Sequence, residues 1–182
     1  MKELDEATIR LAAKKNQSAF KRLYDYYAPF VWKVTYRTVN GDKDAASEIV
    51  QETFIRVYMS LGSFGFNAAL STWIYRIALN AANTYWAKRN TKRIVRGVDM
   101  ELFADAKIKQ PYENKELVHA LMSPLSVEDR FILMGREVEG ISFEELAQIT
   151  GKSSESLRTQ VSRLKARLRG AYEAMNKKEK PL

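Results

Sequence analysis

The chain has 182 residues, 46% apolar and 29% charged, a balance that excludes a disordered chain and leaves room for one medium or two small cores. It has no cysteine, which excludes disulfides and thiolate metal centres, and no apolar run near the roughly 20 residues that span a bilayer, so membrane insertion is not expected. The formal charge of +8 calls for a polyanionic partner.

The N-terminal stretch MKELDEATIR lacks the apolar core of a signal peptide, and a cytoplasmic location is the expectation. Helical spacing begins in SAFKRLYDYYAPFVWKVTYRTV, where Pro29 is expected to kink the helix or start a new turn. After a turn at Asn40-Gly41, the residues Val50, Phe54, Val57, Tyr58 and Leu61 recur on one face of a second helix. Its other face carries Asp44, Glu48, Gln51, Glu52 and Ile55, an acidic strip with an apolar edge on a basic protein. Such a strip can be solvated, can bind a metal or form an acid/base pair through Glu48 and Glu52, or can dock a basic protein surface around Ile55. The single histidine, His119, lies far along the chain and has no carboxylate spacing around it, so a surface or partly buried role is expected.

GSFGFNAALS then reads as a loop, and STWIYRIALNAANTYWAKRN as a helix whose stripe is Leu70, Ile74, Ile77, Ala78 and Ala81. Trp73, Tyr75, Tyr85 and Trp86 crowd among Arg76, Lys88 and Arg89 instead of sorting onto that stripe. Trp86 is expected towards the surface, because Lys88 and Arg89 follow it directly. From about Thr91 to Asn114 the periodicity fades into a linker. Beyond it, Ser142-x-x-Glu145 is a capping box opening FEELAQIT, Gly151 ends that helix, and a longer one follows. The longer helix buries Leu157, Val161, Leu164 and Leu168, leaving Glu155, Arg158, Thr159, Ser162, Arg163, Lys165 and Arg169 outward or sideways, the side-chain chemistry of a DNA recognition helix. From Lys152 onward there are nine Lys or Arg against three Glu. The expected fold is therefore all-α, with two small helical domains joined by a flexible linker and a helix-turn-helix in the second. No nucleophile elbow, P-loop or Gly-rich dinucleotide turn occurs, so no catalytic centre, metal or cofactor is expected.

GDKDAASEIVQETFIRVYMSL, then STWIYRIALN, then LSVEDRFILMGREVEGISFEELAQITGKSSESLRTQVSRLKARLR together resemble a bacterial extracytoplasmic-function sigma factor, over residues 15–90 and 115–170. The resemblance implies a sigma-two domain over residues 1–91, a linker over 92–114 and a sigma-four domain over 115–182. It implies that Asp44, Glu48, Gln51, Glu52 and Ile55 dock on the β′ clamp helices of core RNA polymerase, with the β flap as a second contact. Phe66, Asn67, Ser71, Thr72, Trp73, Arg76, Asn80, Trp86, Lys88 and Arg89 would melt the −10 element and hold its unpaired strand. Aromatic platforms beside cations suit that task, since stacking on one side chain is worth about 1–3 kcal/mol per base. Arg158, Thr159 and Ser162 would face −35 base edges, and Arg163, Lys165 and Arg167 phosphates. An anti-sigma protein is a further implied partner. Four departures from the usual pattern stand out: Ser47-Glu48, Thr84, Gln160 and Leu164. The competing readings are a stand-alone helix-turn-helix regulator and a helical metallo-hydrolase.

Overall fold

A computed structural model describes residues 3–95 and 114–178, and among them every regular element is a helix. In chain order these are α1 (Glu6–Ala13), α2 (Gln17–Thr38), α3 (Lys43–Ser60) with a short 3-10 turn (Leu61–Ser63), and α4 (Leu70–Val95). Then come α5 (Asn114–Met122), α6 (Val127–Glu137), α7 (Phe143–Thr150) and α8 (Ser154–Lys178). Helix α2 runs unbroken through Pro29. The linker expected over residues 92–114 falls largely on 96–113, outside the described residues, but α4 continues through Val95 and shortens it at its start.

Most helices start on a local cap. Asp5, Asn16, Asp42 and Ser126 each accept a backbone N–H from three residues on, satisfying one of the free donors of the first turn. Ser142 and Glu145 form the expected reciprocal box, with N···O distances of 3.1 and 2.8 Å, and Gly151 closes α7 at φ +77°, a left-handed conformation glycine adopts without penalty. Helix α4 is different. Its first N–H groups are met by the distant Glu3 carboxylate, which accepts from Leu70 N at 3.1 Å and from the Ser71 hydroxyl at 2.6 Å. The Tyr27 hydroxyl donates to the same carboxylate at 2.8 Å. We expect Glu3→Ala to lower stability by about 1–2 kcal/mol, the usual loss for a helix cap, as read by urea unfolding.

Leu23, Tyr27, Val31 and Val34 of α2 meet Val50, Phe54 and Val57 of α3 and Leu70, Ile74 and Ala78 of α4 in the first core. In the second unit, Phe131, Ile132, Leu146, Leu157, Val161 and Leu164 are buried. The two units do not stand apart. Helix α6 packs against α2 and α4, and α7 against α4. Tyr75 and Phe131 meet edge-on at 6.5 Å, Arg37 pairs with Glu139, and the Asn40 side chain donates to the His119 carbonyl at 3.0 Å. This explains why α6 buries Arg130, Phe131, Ile132 and Leu133 in succession, since a helix enclosed on opposite sides has no single apolar stripe. Burial foremost, with the charges of Glu145 and Glu3, pushes the Tyr75 phenol up to about 12, so it stays neutral in this seam.

Candidate nucleic-acid and polymerase interfaces

Three surfaces carry the residues singled out above. On α8, Arg158, Thr159, Ser162, Arg163, Lys165 and Arg167 are all exposed, because Leu157, Val161 and Leu164 take the opposite face into the core. They are not equivalent. Arg158 reaches back to α7, 3.0 Å from Glu144 Oε1 and 5.1 Å over the Phe143 ring. Lys165 pairs with Glu137 of α6 at 2.8 Å. Arg163 and Arg167 instead line an open concavity with Ser156 and Thr159. Gln160 is explained by packing: it donates to Asp129 at 2.7 Å and accepts from Lys152 at 3.1 Å, tying α8 and the turn before it to α6.

The loop before α4 projects Phe66, 38% exposed and at φ +56°. A left-handed backbone costs a bulky residue roughly 1–2 kcal/mol. The ring is held by Phe64 at 4.8 Å, and Phe64 in turn lies 5.4 Å from the half-buried Trp73. Asn67, Arg76, Asn80, Lys88 and Arg89 are exposed. Ser71 and Thr72 are not on the rim of this surface. Both are buried, and the Ser71 hydroxyl is spent on Glu3. Nothing in the local sequence distinguishes a hydroxyl facing a pocket from one facing a remote cap.

Trp86 also departs from expectation. It is half-buried at the seam between the units, with Arg89 5.1 Å and Arg130 5.8 Å from its ring. Its indole N–H has no hydrogen-bond partner among the described residues. Arg130 is itself buried, and that burial holds its pKa below the ordinary guanidinium value. Arg89 is drawn towards α3, 3.1 Å from Asp42, whose carboxyl is held below its usual range by the Ala45 backbone N–H and then by Arg89.

On α3, Asp44, Glu48, Gln51 and Ile55 are exposed as expected, whereas Glu52 is half-buried and paired with Arg56 at 2.7 Å. The surface is more apolar than the sequence suggested. Ile55 is 52% exposed and Met59, one turn further, 74%. An aromatic groove formed by Phe20, Tyr24, Trp32 and Tyr58 flanks them. Met59 was missed although its i+4 spacing from Ile55 places both on one stripe. No helix among the described residues is long and apolar enough to cross a membrane.

Residues 23–92 match the family model described as Sigma-70 region 2, and residues 115–168 the one described as Sigma-70, region 4. The ECF RNA polymerase sigma-E factor of Salmonella typhimurium is 30% identical, over 98% of this chain and 95% of its own length. The RNA polymerase sigma-H factor of Pseudomonas aeruginosa is 28% identical, over 99% and 96%. Two solved structures share the fold. CnrH, in complex with the cytosolic domain of CnrY, aligns at TM-score 0.69 and 20% identity over 93% of this chain and 97% of its own. The Bartonella quintana sigma factor RpoE, in complex with the anti-sigma factor NepR, aligns at 0.67 and 23% over 85% and 96%. With both sigma-70 regions matched in order and a relative matched nearly end to end, the chain belongs to the extracytoplasmic-function family of RNA polymerase sigma factors.

Proposed function

We propose that the chain acts as a transcription initiation subunit, directing core RNA polymerase to a subset of promoters by reading the −35 element as duplex and the −10 element as an opened strand. One observation carries this reading: a single chain presents an exposed aromatic and cationic surface at Phe66 and α4, and a separate exposed recognition helix, α8. A stand-alone regulator needs only the second of these. The α3 face from Asp44 to Ile55 is assigned to the polymerase clamp helices. Phe66, Asn67, Arg76, Asn80, Lys88 and Arg89 are assigned to the single strand, and α8 to the major groove. Residues 1–91 form the sigma-two unit and 115–182 the sigma-four unit, the β flap being the second polymerase contact. The protein works in the cytoplasm, performs no bond chemistry of its own, and is held in check by an anti-sigma protein.

Run-off transcription with purified core polymerase tests the reading. Promoter-dependent initiation is the expected result, and duplex binding with no effect on core would favour the regulator instead.

Within α8 the assignments separate by salt dependence. Arg158→Ala is expected to relax discrimination at one −35 position, costing about 1–3 kcal/mol there. Lys165→Ala should weaken binding evenly across sequences and reduce the salt slope by about one. Fluorescence anisotropy on promoter duplexes, with holoenzyme at several salt concentrations, reads both. A uniform loss from Arg158→Ala would move that residue to the phosphates.

A further inference from the structure

The strand-holding loop is built partly by the N-terminal segment, which the site assigned above leaves out. Three links tie the two together. The Glu3 carboxylate takes the Leu70 N–H and the Ser71 hydroxyl at the end of the loop. Gly62 in the 3-10 turn packs close to Ala13 at the end of α1. The Arg10 guanidinium lies 4.5 Å above the Phe66 ring. Arg10 Nε also donates to Glu6 Oε1 at 2.7 Å, one helical turn back on α1. Arg10 and Glu6 are both exposed, with side-chain exposures of 60% and 62%, so the pair is screened by water and weak.

We propose that Arg10 is a single-strand contact of this site and that Glu6 is its internal competitor. A planar cation stacked on an aromatic ring and paired with one exposed carboxylate is placed to exchange partners. An arriving nucleotide brings a π-face to Phe66 and a phosphate to the guanidinium, and that phosphate takes the two N–H donors that Glu6 holds in the free protein. Helix α1 thereby becomes one wall of the site, and the charge of Glu6 sets how readily the strand enters. Phe66, held left-handed at φ +56°, has this cation 4.5 Å and the tilted Phe64 ring 4.8 Å from its ring centre.

The inference rests on the single-strand reading of the Phe66 surface, and the test separates the two. The full chain is assembled on core polymerase and titrated with a fluorescein-labelled single-stranded DNA pool of mixed sequence over a salt series. Arg10→Ala is expected to weaken binding about five-fold and to lower the salt slope by about 0.7, the value for one phosphate contact on single-stranded DNA. Arg10→Lys should restore the slope but not the full affinity, since an ammonium cannot stack as the guanidinium does. Glu6→Gln should tighten binding about two-fold and have no effect when Arg10 is already alanine. Phe66→Ala is the control for the site itself. If Phe66→Ala weakens binding while Arg10→Ala changes neither affinity nor slope, the Arg10 assignment is overturned and the site stands. An affinity loss from Arg10→Ala at constant slope also overturns it, reducing Arg10 to a prop for the ring. If neither variant matters, the single-strand reading fails with it.

Discussion

Leu157→Ala is expected to cost about 2–5 kcal/mol of stability, the range for emptying a fully buried leucine site, a large share of the 5–15 kcal/mol that holds a typical domain. Leu157 is inaccessible to solvent and joins the core that contains Ile132, Leu146 and Val161. It is also the first buried residue of α8, so its loss unseats the helix that presents Thr159 and Arg163. Urea unfolding followed by far-ultraviolet circular dichroism gives the magnitude. Tryptophan fluorescence adds where the damage stops, because Trp32, Trp73 and Trp86 all belong to the first unit. Trp86 sits at the seam beside Arg130 of α6, so loosening of the second unit alone should change its emission while Trp32 and Trp73 stay in their native surroundings. Arg163→Ala is the matched control: an exposed position, expected to shift stability by less than about 0.5 kcal/mol while weakening duplex binding. A loss below about 1 kcal/mol for Leu157→Ala would mean that α8 is not anchored through this residue.

What the sequence made legible is what neighbouring residues encode. Val50, Phe54 and Val57 of α3 with Leu61 just after it, the Ser142–Glu145 box and the Leu157, Val161, Leu164 spacing are local patterns found as expected. Tyr58 and Leu168, expected on the same faces, are only half-buried. The exposed face of α8 follows directly from the buried one. Features set by distant parts of the chain were not legible. The cap on α4 comes from Glu3, 67 residues away from Leu70, which is why Ser71 and Thr72 read as pocket residues and turn out buried. The seam between the units hid Trp86 and buried Arg130, because an aromatic followed by cations has the same local signature on a free surface and under a packed neighbour. The continuation of α4 into the expected linker has a milder cause. Thr91, Lys92 and Arg93 carry no apolar period, yet they tolerate a helix that earlier residues have already nucleated.

Ile55→Asp together with Met59→Asp is expected to weaken the complex with core polymerase by at least about thirty-fold, or some 2 kcal/mol, the threshold for residues that dominate an interface. These are large apolar side chains left in water, on an otherwise acidic helix face beside an aromatic groove. Burying them against a partner recovers the hydrophobic free energy that folding leaves unused, and charging them adds a desolvation cost that the partner cannot offset. Glu48 and Gln51 should behave differently. Both are exposed, and of the two only Glu48 is charged, so a rim position such as Glu48→Lys should act mainly on the association rate and its salt dependence. Stopped-flow mixing of labelled chain with core polymerase at two salt concentrations distinguishes these effects. The apolar pair should appear in the dissociation rate and the acidic rim in the association rate. Because all four side chains point away from the core of α3, the variants should unfold close to the unaltered chain, and a complex lost without a stability change locates the contact on this face. Unaltered affinity in the double aspartate variant would remove α3 from the polymerase interface, and Ile55 and Met59 would then need another partner to cover them.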